Sequence, residues 1–262
     1  MNDDVLLWLE NKNKVLNKNL YISDDEIEAF YISLKKLLFN EYYYEYNLKE
    51  LIYDINQMLK SFLLKLKYSK KELDKLIDSF IISLIEIEKK LRLDLKQFIL
   101  TDPAISNEIE LVLASLPFDA IIGYRIANSL SKENIFLLPD LIMKYIKSKT
   151  GIDISPYAQI GEGFVIDHGV GVVIGETTII GNNVKLYHGV TLGAKKILNP
   201  KELKNMKRHP TIEDNVIICS NSSILGDVTI KRNSIIGASN IVNKDVEENS
   251  IIRGKSYEGG VL

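Results

Sequence analysis

An aliphatic side chain returns at every sixth position through most of the second half of this chain. The run is Ile154, Ile160, Ile166, then Ile174, Ile180, Leu186 and Leu192, and it resumes with Ile212, Ile218, Ile224, Ile230, Ile236 and Val242. Four residues after these positions, small or β-branched residues dominate: Ala158, Thr178, Val184, Val190, Val216, Ser222, Val228 and Ser234, with Phe164 and Asn240 as exceptions. A period of six matches neither the 3.6 of a helix nor the 2 of a simple strand. It is the signature of a parallel β-helix, in which three hexapeptides close one triangular coil and the aliphatic residues stack inward. Glycine and asparagine gather between the aliphatic positions, as in Gly181-Asn182-Asn183. Corners there suit residues for which positive φ is cheap.

The first 150 residues read differently. Fourteen of the 15 glycines and all three histidines (His168, His188, His209) follow residue 150; the one earlier glycine is Gly123. The front is leucine-rich and patterned for helices. Ser23-Asp24-Asp25-Glu26 and Ser69-Lys70-Lys71-Glu72 match the capping box of a helix start. After Ser69, Leu73, Leu76, Ile77, Phe80, Leu84, Ile87 and Leu91 form one apolar stripe. Thr101-Asp102-Pro103-Ala104 reads as the opening of a further helix, with Pro103 in its first turn and Asp102 as cap. Helices are predicted over about 105–115, 117–131 and 135–149, the last ended by Gly151. Tyr42, Tyr43, Tyr44 and Tyr46 read as packing between helices, since no basic residues interleave with them. The fold class is therefore α + β: an all-helical domain over 1–150, then a parallel β-helix domain over 151–262 carrying a loop at 193–209.

Charge narrows the function. Lys+Arg is 33 against Asp+Glu 35, and residues 151–262 hold 12 of each, so no basic footprint for nucleic acid exists. The single cysteine, Cys219, excludes an internal disulfide framework and suits a reducing compartment. MNDDVLLWLE is acidic and lacks the basic start of a signal peptide, and no apolar run is long enough to span a membrane. A cytoplasmic protein is expected, with no membrane partner.

Two breaks in the six-residue period stand out, because interruptions of a solenoid are where function collects. The first, Ile166 to Val173, has eight residues where six are due and carries Asp167 and His168. The second runs from Gly193 to His209 and ends in Arg208-His209-Pro210. Histidine is the side chain that exchanges a proton most readily in the neutral range, so His168 suits a general base if a partner fixes its tautomer. Asp153, fifteen residues earlier, should lie near it on the adjacent coil. The residues alone leave a second reading open, in which His168 only donates to a backbone carbonyl at a corner. Arg208 and His209 suit the clamping of a carboxylate, or form the end of a solvated basic run from Lys204. His188 lies on an uninterrupted repeat and reads as structural. Cys219 has no activating neighbour in the sequence and reads as packing.

Taken together, Asp153-Ile154-Ser155-Pro156, Ile166-Asp167-His168, Gly175-Glu176-Thr177, Gly189-Val190-Thr191-Leu192-Gly193 and Arg208-His209-Pro210 resemble serine O-acetyltransferase. Thr101-Asp102-Pro103-Ala104 and Tyr124-Arg125-Ile126-Ala127 are similar to helical segments of that family. The resemblance covers residues 100–254; residues 1–100 share only their helical character. It implies a left-handed parallel β-helix and acetyl transfer from acetyl-CoA, as co-substrate, to the L-serine hydroxyl in cysteine biosynthesis, with no metal. His168 would be the base and Asp153 its orienting carboxylate. Asp102 and Asp167 would hold the serine ammonium, Arg208 and His209 its carboxylate, and Gly193 and Ser220 would lie along acetyl-CoA. Sites between neighbouring chains of a homo-trimer are implied, with the helical part pairing trimers into a hexamer.

This chain departs from the family in four places. The 193–209 loop is longer and more basic than in the enterobacterial type, Ala194 replaces a glycine, and Asp119 stands where histidine is common. Family members commonly end in an isoleucine that docks into O-acetylserine sulfhydrylase; here the tail is Gly259-Gly260-Val261-Leu262, which speaks against that contact. Two competing readings are a different hydroxyl acceptor and a catalytically silent scaffold that binds the sulfhydrylase. The opposed charges of Asp102/Asp167 and Arg208/His209 favour a zwitterionic acceptor over the first of these.

Overall fold

A computed structural model describes residues 4–5, 21–43, 47–195 and 206–254. Among them are six α-helices: α1 Asp24–Leu38, α2 Leu48–Lys65, α3 Lys70–Thr101, α4 Glu108–Ala114, α5 Leu116–Lys132 and α6 Leu138–Thr150. Both capping boxes form. Ser23 Oγ accepts from Glu26 N while the Glu26 carboxylate accepts from Ser23 N; Glu72 likewise accepts from Ser69 N and Oγ. On α3 the predicted stripe faces the core, with Leu73, Phe80, Leu84, Ile87 and Leu91 buried. Tyr42 and Tyr43 pack against that core as expected, and Tyr44 and Tyr46 fall outside the described residues. The lone early glycine has a packing reason: a Cβ on Gly123 of α5 would lie 2.4 Å from Ile146 Cγ1 of α6.

One expectation fails. Thr101-Asp102-Pro103-Ala104 opens no helix. Thr101 is the last residue of α3, and Asp102 is its extended C-terminal flank at φ −122°, ψ 104°. Proline cannot continue the helical ladder and pushes the residue before it toward extended backbone. The Asp102 carboxylate instead accepts from Ala104 N at 2.9 Å, closing a turn, and Asn107 caps α4.

Gly151 ends α6 in the left-handed region, and the β-helix follows directly. Its strands of two or three residues build three parallel sheets. Sheet A stacks β1 Asp153–Ile154, β4 Val173–Ile174, β7 Thr191–Gly193, β10 Ser223–Leu225 and β13 Ile241–Val242. Sheet B stacks β2 Gln159–Ile160, β5 Ile179–Ile180, β8 Thr211–Ile212 and β11 Thr229–Ile230. Sheet C stacks β3 Val165–Asp167, β6 Lys185–Tyr187, β9 Ile217–Ile218, β12 Ile235–Ile236 and β14 Ile251–Ile252.

Every aliphatic residue of the six-residue series is buried, and so are Ala158, Phe164, Thr178, Val184, Val190, Val216, Ser222, Val228 and Ser234 between them. Each large aliphatic removed from water stabilises the coil by ~1.5–3 kcal/mol. Asparagines supply most of one corner. Asn183, Asn215, Asn233 and Asn249 all have φ between 56° and 59°, and their side-chain amides hydrogen-bond in series at 3.1–3.3 Å.

The helices are fastened to the first coil by a buried ion pair. Arg125 of α5 makes two bonds to the Asp94 carboxylate of α3, at 3.0 and 2.9 Å, and also donates to Ile160 O and Gly161 O at 2.7 and 2.5 Å. Asp94 accepts from Phe164 N at 2.8 Å. Beside them Tyr124 OH donates to Ala158 O at 2.8 Å and Asn128 Nδ2 to Pro156 O at 2.9 Å. Removing one member of such a pair strands the other charge in a dry site. Arg125→Met is therefore expected to cost ~3–5 kcal/mol in chemical denaturation. Asp94→Leu/Arg125→Met should cost less than the sum of its two single changes.

Candidate active site

The register shows where the coil was interrupted. Asp153 pairs with Val173, 20 residues on, whereas Val173 pairs with Thr191, 18 on. The two extra residues are taken up just after β3. His168 there has φ 59°, Gly169 79° and Gly171 79°, while Gly169 N donates to Asp167 O at 2.7 Å and Val172 N to Gly169 O at 3.0 Å. Left-handed backbone is sparsely populated by residues with a Cβ and gathers at functional sites. The turn throws the His168 side chain outward, 80% exposed in the single chain.

His168 and Asp167 border a cleft of about 380 Å³ between this corner and the ends of α3–α5, lined also by Asp102, Glu110, Leu111 and Ser115. Asp167 Oδ1 lies 3.6 Å from His168 Nε2, and Asp167 Oδ2 lies 2.8 Å from Lys185 Nζ. Asp153 is paired with Lys147 Nζ at 2.6 Å, both side chains being about half exposed, and the carboxylate that stands beside His168 is that of Asp167. One coil above His168 is His188, its ring 6.1 Å away and edge-on; His188 Nδ1 is buried with no hydrogen-bond partner among the described residues. Ser220 continues this edge: Asn221 N donates to His188 O and Ser239 N to Ser220 O. Burial raises the Cys219 thiol above its ordinary value, which keeps it protonated and unreactive.

Arg208 and His209 occupy the opposite edge of sheet A. Ile179 pairs with Thr211, 32 residues on, so the 193–209 excursion inserts whole between β7 and β8 without disturbing the stack. Residues 196–205 of it lie outside those described. Gly175-Glu176-Thr177 seats its far end. Thr177 Oγ1 accepts from Arg208 N at 3.0 Å and His209 N at 3.1 Å. Thr177 N donates to His209 Nδ1 at 3.1 Å, which leaves the neutral ring's proton on Nε2. Glu176 pairs with the Arg208 guanidinium. Gly175 is required by the fit, since a Cβ there would lie 2.1 Å from His209 Cδ2. Gly193, at the end of β7, lies at this same edge.

The structure thus gathers Asp102, Asp167, His168 and, further along, Ser220 at one edge of sheet A. Arg208, His209 and Gly193 stand at the other. Between the edges runs β7, and from Val190 to Gly193 it spans roughly 10 Å. Lys185 escaped the sequence reading, His188 was read there as structural, and Thr177 entered only as part of a family motif, because each lies inside a regular repeat or a corner, where spacing carries no functional signal. Among the described residues, no three His, Cys, Asp or Glu side chains come close enough to hold a metal ion. No helix among them is long and apolar enough to cross a membrane.

Residues 209–244 match the family model for the bacterial transferase hexapeptide, six repeats. A curated serine acetyltransferase of Bacillus licheniformis is 45% identical over 153 residues, covering 58% of this chain and 68% of the relative. The chain belongs to the serine acetyltransferase family. Among solved structures, serine acetyltransferase isoform 3 of Entamoeba histolytica, in complex with cysteine, superposes with a TM-score of 0.79. It is 27% identical, with 98% of this chain and 93% of that one covered. The Brucella abortus serine acetyltransferase in complex with coenzyme A gives a TM-score of 0.64 at 27% identity, covering 88% and 80%. The resemblance to this family seen in the motifs therefore holds, and so does the class of enzyme.

Burial, and then the neighbouring Arg208 cation, hold the His209 imidazole below its ordinary value. A group that binds its proton less well folded than unfolded loses stability as pH falls through its unfolded value, near 6.5. Denaturation midpoints should therefore drop from pH 7 to pH 5 more steeply for wild type than for His209→Gln, and an NMR titration should read His209 below 6.5. Gly175→Ala, which drives a methyl group into the His209 ring, should lower the melting temperature and shift the His209 resonances.

Proposed function

We propose that this chain transfers the acetyl group of acetyl-CoA to the hydroxyl of L-serine, giving O-acetyl-L-serine for cysteine biosynthesis. The observation that carries the reading is the division of charge about sheet A. Carboxylates stand beside His168 at one edge, and an arginine with a neutral histidine stands at the other. Serine presents an ammonium, a carboxylate and a hydroxyl to be deprotonated, and it needs both kinds of partner.

Asp102 and Asp167 take the ammonium, and Arg208 and His209 the carboxylate. His168 accepts the hydroxyl proton as the serine oxygen attacks the thioester carbonyl; the tetrahedral intermediate then collapses, expelling the CoA thiolate, which takes the proton back from His168. Asp153 orients the imidazole. Its pairing with Lys147, both groups about half exposed, is of a kind worth ~0–1 kcal/mol and does not hold it away. Acetyl-CoA runs along the edge from His168 past His188 to Ser220 and meets Gly193 from the facing edge.

A serine is too small to span the roughly 10 Å between the two edges of one chain. The site is therefore completed by a neighbour, with the ammonium edge of one protomer meeting the carboxylate edge of the next around a trimer. The exposed His168 supports this reading, since the neighbour would cover it. The helical part would pair two trimers. A single cysteine without a partner suits a cytoplasmic setting.

An acceptor screen reading free CoA tests the chemistry: serine should exceed galactosides and other amino acids, and parity with galactosides would end the proposal. His168→Ala should lower turnover ~100-fold or more with little change in acetyl-CoA affinity. Arg208→Ala should raise the serine KM instead. Co-expressed His168→Ala and Arg208→Ala chains, assayed at serine far below the KM of Arg208→Ala, should recover about a quarter of wild-type activity if each site draws on two protomers. Recovery of nothing would return both edges to one chain.

A further inference from the structure

Lys185 is almost fully buried on the outward-facing side of β6, where a solvated residue is the rule for this coil. Outward positions elsewhere stand open, Val173 at 38% and Ile241 at 74%, whereas Val165, the register partner of Lys185 on β3, is buried as Lys185 is. A buried lysine must be fully partnered to be tolerated, and this one is. Its ammonium lies 2.8 Å from Asp167 Oδ2, donates to Thr101 O at 3.0 Å, and sits 4.8 Å from the centroid of the Tyr187 ring. Burial works against the charge, yet the Asp167 carboxylate outweighs it and raises Lys185 above its ordinary value.

These contacts join the ends of three parts of the chain. Thr101 O belongs to the C-terminal turn of α3, whose free carbonyls attract a cation, and the next residue is Asp102. Asp167 is the end of β3, and Lys185 itself lies on the coil above. We propose that Lys185 is a positioning residue for the reaction. It fixes the Asp167 carboxylate and the Asp102 turn in one geometry, and it neutralises the carboxylate nearest His168. This rests on the serine-binding roles of Asp102 and Asp167 proposed above.

Two readouts follow. With the ammonium removed, the two carboxylates lose their common tether, so serine affinity suffers while acetyl-CoA, bound further along the edge, does not. The groups facing His168 are Asp167 and, across the cleft, Asp102 and Glu110, with the His188 ring above. Without Lys185 the negative field of Asp167 at 3.6 Å is no longer offset, and the protonated imidazole is favoured. The acidic limb of the kcat/KM profile then moves to higher pH. Mere loss of structure would not move it.

The experiment compares wild type, Lys185→Met and Lys185→Arg by steady-state kinetics with both substrates over pH 6–9, with thermal melting alongside. Lys185→Met is expected to raise the serine KM tenfold or more, to leave the acetyl-CoA KM within about twofold, and to shift the acidic limb upward. Lys185→Arg should restore most of the serine KM. An unchanged serine KM and limb in Lys185→Met would overturn the proposal, as would an equal loss toward both substrates. If Lys185→Met melts early, Lys185→Gln is read by the same criteria. A wild-type protein that fails to acetylate serine would instead sink the reading of function beneath it.

Discussion

The inward stack of aliphatic side chains is the constraint on which the rest of this molecule depends. Each residue of the series rests on its counterpart in the next coil, and a shift of one residue would turn the whole set outward. The chain can therefore change its path only by inserting complete loops at corners. The pairing distances display this: 20 residues across the first coil, 18 across the next, 32 where the long excursion enters, and 18 again. Both longer steps carry the site. Function has been added where the stack permits additions.

The helical part contributes in a more specific way than bulk. Its buried Asp94–Arg125 pair grips the backbone of Ile160, Gly161 and Phe164, the stretch that leads into β3 and so to Asp167 and His168. Burying both charges is expensive and is balanced because the guanidinium and the carboxylate each make several hydrogen bonds there. From the same helical side, the end of α3 brings Asp102 to the cleft. The two architectures meet at this cleft, which explains why motifs of the front and the back belong to one family.

The fold was largely legible because periodicity reports a repeated physical environment. Thirteen buried residues at one spacing leave little freedom, and the capping boxes at Ser23 and Ser69 mark helix starts by chemistry that is local. Asp102 shows the limit. Thr-Asp-Pro fits both the first turn of a helix and the residue just past the end of one, and only the length of α3 decides between them. The breaks pointed to His168, Arg208 and His209, but not to what seats them. Gly175, Glu176 and Thr177 look like an ordinary corner until the excursion folds back onto them, and Lys185 looks like a surface lysine until α3 covers it. Contacts made across 31 or 84 residues leave no trace in local spacing.

His168 is also a turn residue. Its φ of 59° is a conformation that glycine and asparagine adopt at low cost and β-branched residues scarcely adopt at all. The position is thus filtered by backbone shape and, in the proposed mechanism, by acid–base chemistry as well, and histidine passes both filters. A lineage that lost the activity would be free to drift at 168 toward asparagine or glycine, residues that already hold left-handed backbone along the same edge at Asn221 and Gly189. The return path from those residues would need no change in the scaffold.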